Sequence, residues 1–157
     1  MRLSFASAAD GAVSAAGPDA RPLARLRILI VDDDPILLRS LRDVLEGDGH
    51  HIEAASEGAA ALALFDAASA RRAGFDAVIT DLGMPGMDGR RVAASIKQRA
   101  AETPVILLTG WGERLRAEEE LPVHIDCILS KPPRLREVRA ALAQHCVGAF
   151  PQAASGR

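Results

Sequence analysis

Four short stretches of this 157-residue chain carry side chains that could do chemistry together. Asp32-Asp33-Asp34 follows one apolar run, Asp81 closes a second, Thr109 closes a third, and Lys131 follows a fourth, just before Pro132-Pro133. Two carboxylates about 4 Å apart repel by about 4 kcal/mol at an effective dielectric of about 20, so Asp32, Asp33 and Asp81 brought together would call for a cation. Hard oxygen donors with room for water suit Mg²⁺, which keeps part of its hydration shell and reaches phosphoryl oxygens. A carboxylate can act as nucleophile toward phosphorus, and an ammonium and a hydroxyl nearby would complement the charge spread over the transferring group. Plainer readings compete: Asp34 is a better helix N-cap than metal ligand, and Thr109 and Lys131 taken singly are a strand-end threonine and a solvated loop lysine.

The elements that must position these residues follow from periodicity. Ile28 to Val31 is β-branched and apolar, as a first strand buried on both faces would be, and Asp34 with Pro35 opens a helix whose stripe is Leu37, Leu38, Leu41, Val44 and Leu45, ended by Gly47 and Gly49. His51 to Ala55 fits a short second strand, and Leu62 and Phe65 among alanines mark a second helix ending before Gly74. The residues from Phe75 to Ile79 read as a buried third strand delivering Asp81 into a Gly/Pro-rich loop, after which Asp88 caps a helix that turns Val92 and Ile96 inward. Val105 to Leu108 is a fourth strand, 113–120 a short polar helix stopped by Pro122, Ile125 to Leu129 a fifth strand, and Leu135, Val138 and Leu142 the stripe of a last helix. Five alternating βα units imply a parallel sheet covered on both faces by right-handed crossovers. Asp32 and Asp33 meet Asp81 only if the first and third strands are neighbours. Strand order 2-1-3-4-5 satisfies that and puts the ligand crevice between them, as in flavodoxin-like α/β folds.

The run Asp81-Leu-Gly-Met-Pro-Gly-Met-Asp-Gly, with the acidic cluster upstream and Thr109 and Lys131-Pro132 downstream in the same order, resembles the phospho-acceptor loop of the response regulator receiver domain. The resemblance covers roughly Arg27 to Cys146. It implies a doubly wound (βα)5 fold, phosphorylation of Asp81 by a sensor histidine kinase or histidine phosphotransfer protein, and Mg²⁺ held by Asp33, Asp81 and the Gly83 backbone carbonyl, with Asp32 acting largely through water. It implies too that Pro132 is a cis-proline aiming Lys131 inward, and that signalling is by protein contact rather than by independent enzymatic turnover. Thr109-Gly-Trp-Gly and Ser130-Lys-Pro-Pro look like receivers of hybrid sensor kinases. Ile128 stands where the family usually has an aromatic residue, and His124 where it commonly has glycine; these, with Pro122, alter the face made by the fourth helix (113–120), the fifth strand and the last helix, where a downstream partner would dock. A homodimer is also compatible with the family. A haloacid-dehalogenase-like phosphatase, with Asp32 as nucleophile, and an unphosphorylated interaction module are the alternatives. A flavin-binding module is disfavoured, because bare carboxylates would repel a phosphate where that fold needs a hydroxyl-rich loop.

Composition sets the limits. A formal charge of −2 with acids and bases interspersed gives no basic face for nucleic acid. No apolar run approaches about 18 residues, so no membrane span is expected, and cytoplasmic location is the default. Cys127 and Cys146 lack metal-ligand spacing; Cys146 falls on the last helix's stripe as a core residue. His50, His51, His124 and His145 show no matched partners and receive no role. Residues 1–25, rich in Ala, Gly, Ser and Pro, read as a disordered tail, 26–147 as the domain and 148–157 as a flexible end, giving a stand-alone receiver without an output module. Trp111, two residues past Thr109, could cover an acyl phosphate at Asp81.

Overall fold

The computed structural model of the chain describes residues 25–110 and 123–146. The expected N-terminal and C-terminal tails, the 113–120 helix with Pro122, and Trp111 lie outside those residues. Within them the order is β1 (Arg27–Val31), α1 (Pro35–Gly47), β2 (His51–Ala55), α2 (Gly58–Ala70), β3 (Ala77–Asp81), α3 (Gly89–Arg99), β4 (Val105–Thr109), β5 (Cys127–Ser130) and α4 (Leu135–His145). The five strands form one parallel sheet in the order β2-β1-β3-β4-β5. This is the flavodoxin-like arrangement that the placement of the carboxylates required.

Both faces of the sheet are covered, which explains why the central strands read as unbroken apolar runs rather than as alternations. Leu29, Val31, Val78, Val105, Leu107 and Ile128 point to one side, where Phe65 of α2 and Val92 and Ile96 of α3 close the core. Ile28, Ile30, Ile79, Ile106, Leu108 and Leu129 point to the other, against Leu41 and Leu45 of α1 and Val138 and Leu142 of α4. Fully burying one such side chain stabilises by roughly 1.5–3 kcal/mol, so these two layers dominate the fold's energetics.

Helix starts follow capping chemistry. Asp34 Oδ1 accepts from the Ile36 and Leu37 amides with Pro35 at the first turn, and Asp88 Oδ1 accepts from the Arg90 and Arg91 amides. Gly49, at φ +99, turns the chain from α1 toward β2. Strand ends differ from the sequence pattern at two places. β3 pairs only from Ala77, because just before it Asp76 exchanges hydrogen bonds with Arg27: its amide donates to the Arg27 carbonyl at 2.7 Å and its carboxylate accepts from the Arg27 amide at 2.8 Å. Asp126 delays β5 in the same way, its carboxylate accepting from the Val105 amide and from Lys97 Nζ, both at 2.8 Å.

Candidate functional site

Asp32 and Asp33 leave the end of β1, Asp81 closes β3, Thr109 closes β4, and Lys131 follows β5, so all of them gather at the carboxyl edge of the sheet. One carboxylate oxygen from each of Asp32, Asp33 and Asp81 lies within 4.8 Å of the other two. Lys131 Nζ sits 3.0 Å from Asp32 Oδ2 and 3.3 Å from Asp81 Oδ1. The Lys131–Pro132 peptide is cis, as the resemblance implied. The Lys131 amide donates to the Thr109 carbonyl at 3.1 Å, tying the ends of β4 and β5 together beneath the site.

The three carboxylates are not equivalent. Asp32 is wholly buried; its Oδ1 accepts from the Asp34 amide at 2.8 Å and its Oδ2 from Lys131. Burial pushes the Asp32 carboxyl up; the Asp34 amide and Lys131 pull it down, and the charge of Asp81 pushes it up again. Burial alone would lower the Lys131 ammonium, but the hydrogen bond and charge of Asp32, with Asp81 behind them, outweigh it and raise that group, so it stays protonated. Asp33 is exposed, Asp81 is buried, and Thr109 is buried at its strand end. Gly83 lies exposed two residues past Asp81 in the loop that leads to α3. These oxygen donors, some dry and one facing water, fit a small hard divalent cation that retains water ligands, and three carboxylates facing one ammonium leave the cluster negative.

Asp34 is the N-cap of α1 and stands outside the carboxylate cluster. Cys146 is buried in the core, and burial, with the Asp76 charge, pushes its thiol up to about 12, which makes it inert. The histidines correct one expectation: His50 has a partner. Its Nδ1 accepts from the Leu26 amide at 3.1 Å in a buried position, pinning the chain that enters β1 to the turn before β2. His51 lies 3.4 Å from Glu53. No local pattern announces the His50 contact, since its partner is a backbone amide 24 residues away. Lys131 likewise has a partner in Asp32 that sequence reading did not assign, through a contact spanning 99 residues.

Residues 28–143 match the response regulator receiver domain family. The chain is 34% identical over 125 residues to the response regulator protein FleR of Pseudomonas aeruginosa, a match covering 80% of this chain and 25% of FleR. It is 33% identical over 118 residues to the sensor histidine kinase RcsC of Salmonella typhi, covering 75% of this chain and 12% of RcsC. The chain thus spans a quarter or less of the length of these two relatives. Among solved structures, the response regulator protein TrrA of Thermotoga maritima, in complex with Mg²⁺ and BeF, superposes with a TM-score of 0.62 at 29% identity, covering 76% of this chain and 97% of that one.

Proposed function

The chain belongs to the response regulator receiver family, and on that premise we propose that it accepts a phosphoryl group on Asp81 in a Mg²⁺-dependent reaction. The observation that carries this reading is the meeting of Asp32, Asp33, Asp81 and Lys131 at one edge of the sheet. In the reaction an Asp81 carboxylate oxygen forms a bond to phosphorus while the phosphorus–nitrogen bond of a phosphohistidine donor, or the phosphorus–oxygen bond of a small acyl phosphate, breaks. Lys131 would exchange its contact with Asp81 for one to a phosphoryl oxygen while keeping Asp32, and Thr109 would donate its hydroxyl to another. Asp33, Asp81 and the Gly83 carbonyl would hold the metal directly and Asp32 through water; when bound, Mg²⁺ supplies the positive charge that lets a second anion enter an acidic site.

Relatives such as a sensor histidine kinase point to a histidine kinase or histidine phosphotransfer protein as donor. The downstream partner would be a protein docking on the face that includes β5 and α4, in the cytoplasm. Among the described residues no helix is long and apolar enough to cross a membrane. The phosphatase alternative would need Asp32 as nucleophile. Its burial, with one oxygen held by an amide and the other by Lys131, argues against that role.

Intact-mass measurement after incubation with acetyl phosphate tests the reading. One phosphoryl adduct is expected, only with Mg²⁺ present, and none in Asp81→Asn. An adduct on Asp32, or one that survives Asp81→Asn, would overturn the receiver reading in favour of the phosphatase.

A further inference from the structure

The loop 82–88 must hold the Gly83 carbonyl in place, yet it has no regular structure of its own apart from the turns that close it. It is pinned at two points. At its far end Gly89 begins α3 against the backbone of Asp81: a Cβ there would run into the Asp81 carbonyl oxygen and lie 2.9 Å from Leu107 Cδ1. The Gly89 amide also donates to the Leu82 carbonyl at 2.9 Å, closing the loop on itself. The second pin comes from a helix on one face of the sheet, α2. Met87 seats directly on Gly58, the first residue of α2: a Cβ at Gly58 would lie 2.8 Å from Met87 Sδ, 2.9 Å from its Cβ and 3.0 Å from its Cγ.

Gly58 is not required by its backbone. It is not among the residues with positive φ, so any L-residue could adopt its conformation. Nor does it serve the helix it opens, since glycine is a poor helix former and Glu57 before it makes no side-chain capping bond. What glycine supplies here is the space that Met87 fills. A side chain at 58 would have to displace the Met87 Cβ as well as its flexible end, and so would shift the loop's backbone.

We propose that Gly58 is a positioning residue for the phosphoryl-accepting loop: by letting Met87 seat on the start of α2, it fixes the loop that carries Gly83. Mg²⁺ affinity and phosphoryl acceptance at Asp81 then depend on a residue that touches neither. The proposal rests on the receiver reading above.

Three variants test it: Gly58→Ala, which wedges the contact; Met87→Ala, which empties it; and the double variant. Mg²⁺ affinity is measured by titration calorimetry on unphosphorylated protein, and phosphoryl acceptance from acetyl phosphate is followed by intact mass across Mg²⁺ concentrations. Each single variant should bind Mg²⁺ about tenfold more weakly, the size of effect that supporting residues have on metal sites. Acceptance should slow at limiting Mg²⁺ and recover as Mg²⁺ approaches saturation. Because both substitutions act through one contact, the double variant should lose no more than the worse single one. Lowered melting temperatures with wild-type Mg²⁺ affinity in both single variants would overturn the proposal, leaving Gly58 a packing residue only. Losses that simply add in the double variant would also overturn it. If the wild type itself takes no phosphoryl group on Asp81, the receiver reading fails instead, and the two failures are told apart.

Discussion

Single side chains here act by what holds them. His50 shows it away from the site, where its Nδ1 accepts from the Leu26 amide and Nε2 has no hydrogen-bond partner among the described residues. Accepting at Nδ1 fixes the neutral form with the proton on Nε2. A second proton would set an N–H against the Leu26 N–H. Burial holds the His50 imidazole below its ordinary range, and the charges of Asp48 and Asp76 only partly offset that. Asp48 is already engaged by Arg139, and Asp76 by the Arg27 amide. The sign of the effect follows. Above about pH 6.5 both folded and unfolded states are neutral and His50 contributes no pH dependence; below it the unfolded chain takes up a proton that the folded chain resists, so stability falls until the folded group itself titrates. His50→Gln keeps an acceptor that does not titrate. Thermal melts between about pH 7 and about pH 5 should therefore show a smaller loss for His50→Gln than for the wild type, and parallel losses would show that His50 does not set this dependence.

At the scale of elements, α1 separates two roles that lie next to each other in sequence. Asp33 and Asp34 are adjacent, yet only Asp33 belongs to the carboxylate cluster, while Asp34 caps the helix. Asp34→Ala should cost about 1 kcal/mol of stability in chemical denaturation and leave Mg²⁺ affinity unchanged. A weakened Mg²⁺ affinity in that variant would show that Asp34 serves the metal as well. Capping residues, the α1 stripe and strand ends bearing chemistry were legible because each depends on neighbours a few residues away. So was the strand order, since the meeting of Asp32 and Asp33 with Asp81 makes the first and third strands neighbours and the doubly wound βα pattern supplies the rest. The starts of β3 and β5 were not legible. An apolar run from Phe75 does not say where pairing begins; Asp76 decides that by bonding to Arg27, and Asp126 does the same for β5 through Val105 and Lys97. The grip of Lys131 on Asp32, the His50 contact and the seat of Met87 on Gly58 join distant segments and leave no local period to read.

For the whole molecule, the site is a concentration of like charge that the two core layers must hold closed. Three carboxylates face one ammonium, so the metal-free fold carries repulsion that a cation or a neutral substitution would relieve. Asp81→Asn should melt higher than the wild type without Mg²⁺, by about 1 kcal/mol or roughly 3–5 °C for a domain of this size, and the gap should close or reverse as Mg²⁺ is added. A lower melting temperature for Asp81→Asn in the absence of metal would mean that its contact with Lys131 stabilises more than its repulsion costs. The contact of Lys131 with Asp32 joins residues 99 positions apart, across the three strand pairings that separate β1 from β5. During synthesis, therefore, Asp81 emerges from the ribosome well before Thr109 and Lys131, and a growing chain holds its acidic residues with no ammonium to face them. The cluster of Asp32, Asp33, Asp81 and Lys131 is complete only once residue 131 has been made and β5 pairs with β4, so the proposed phosphoryl acceptor would be finished no earlier than the sheet.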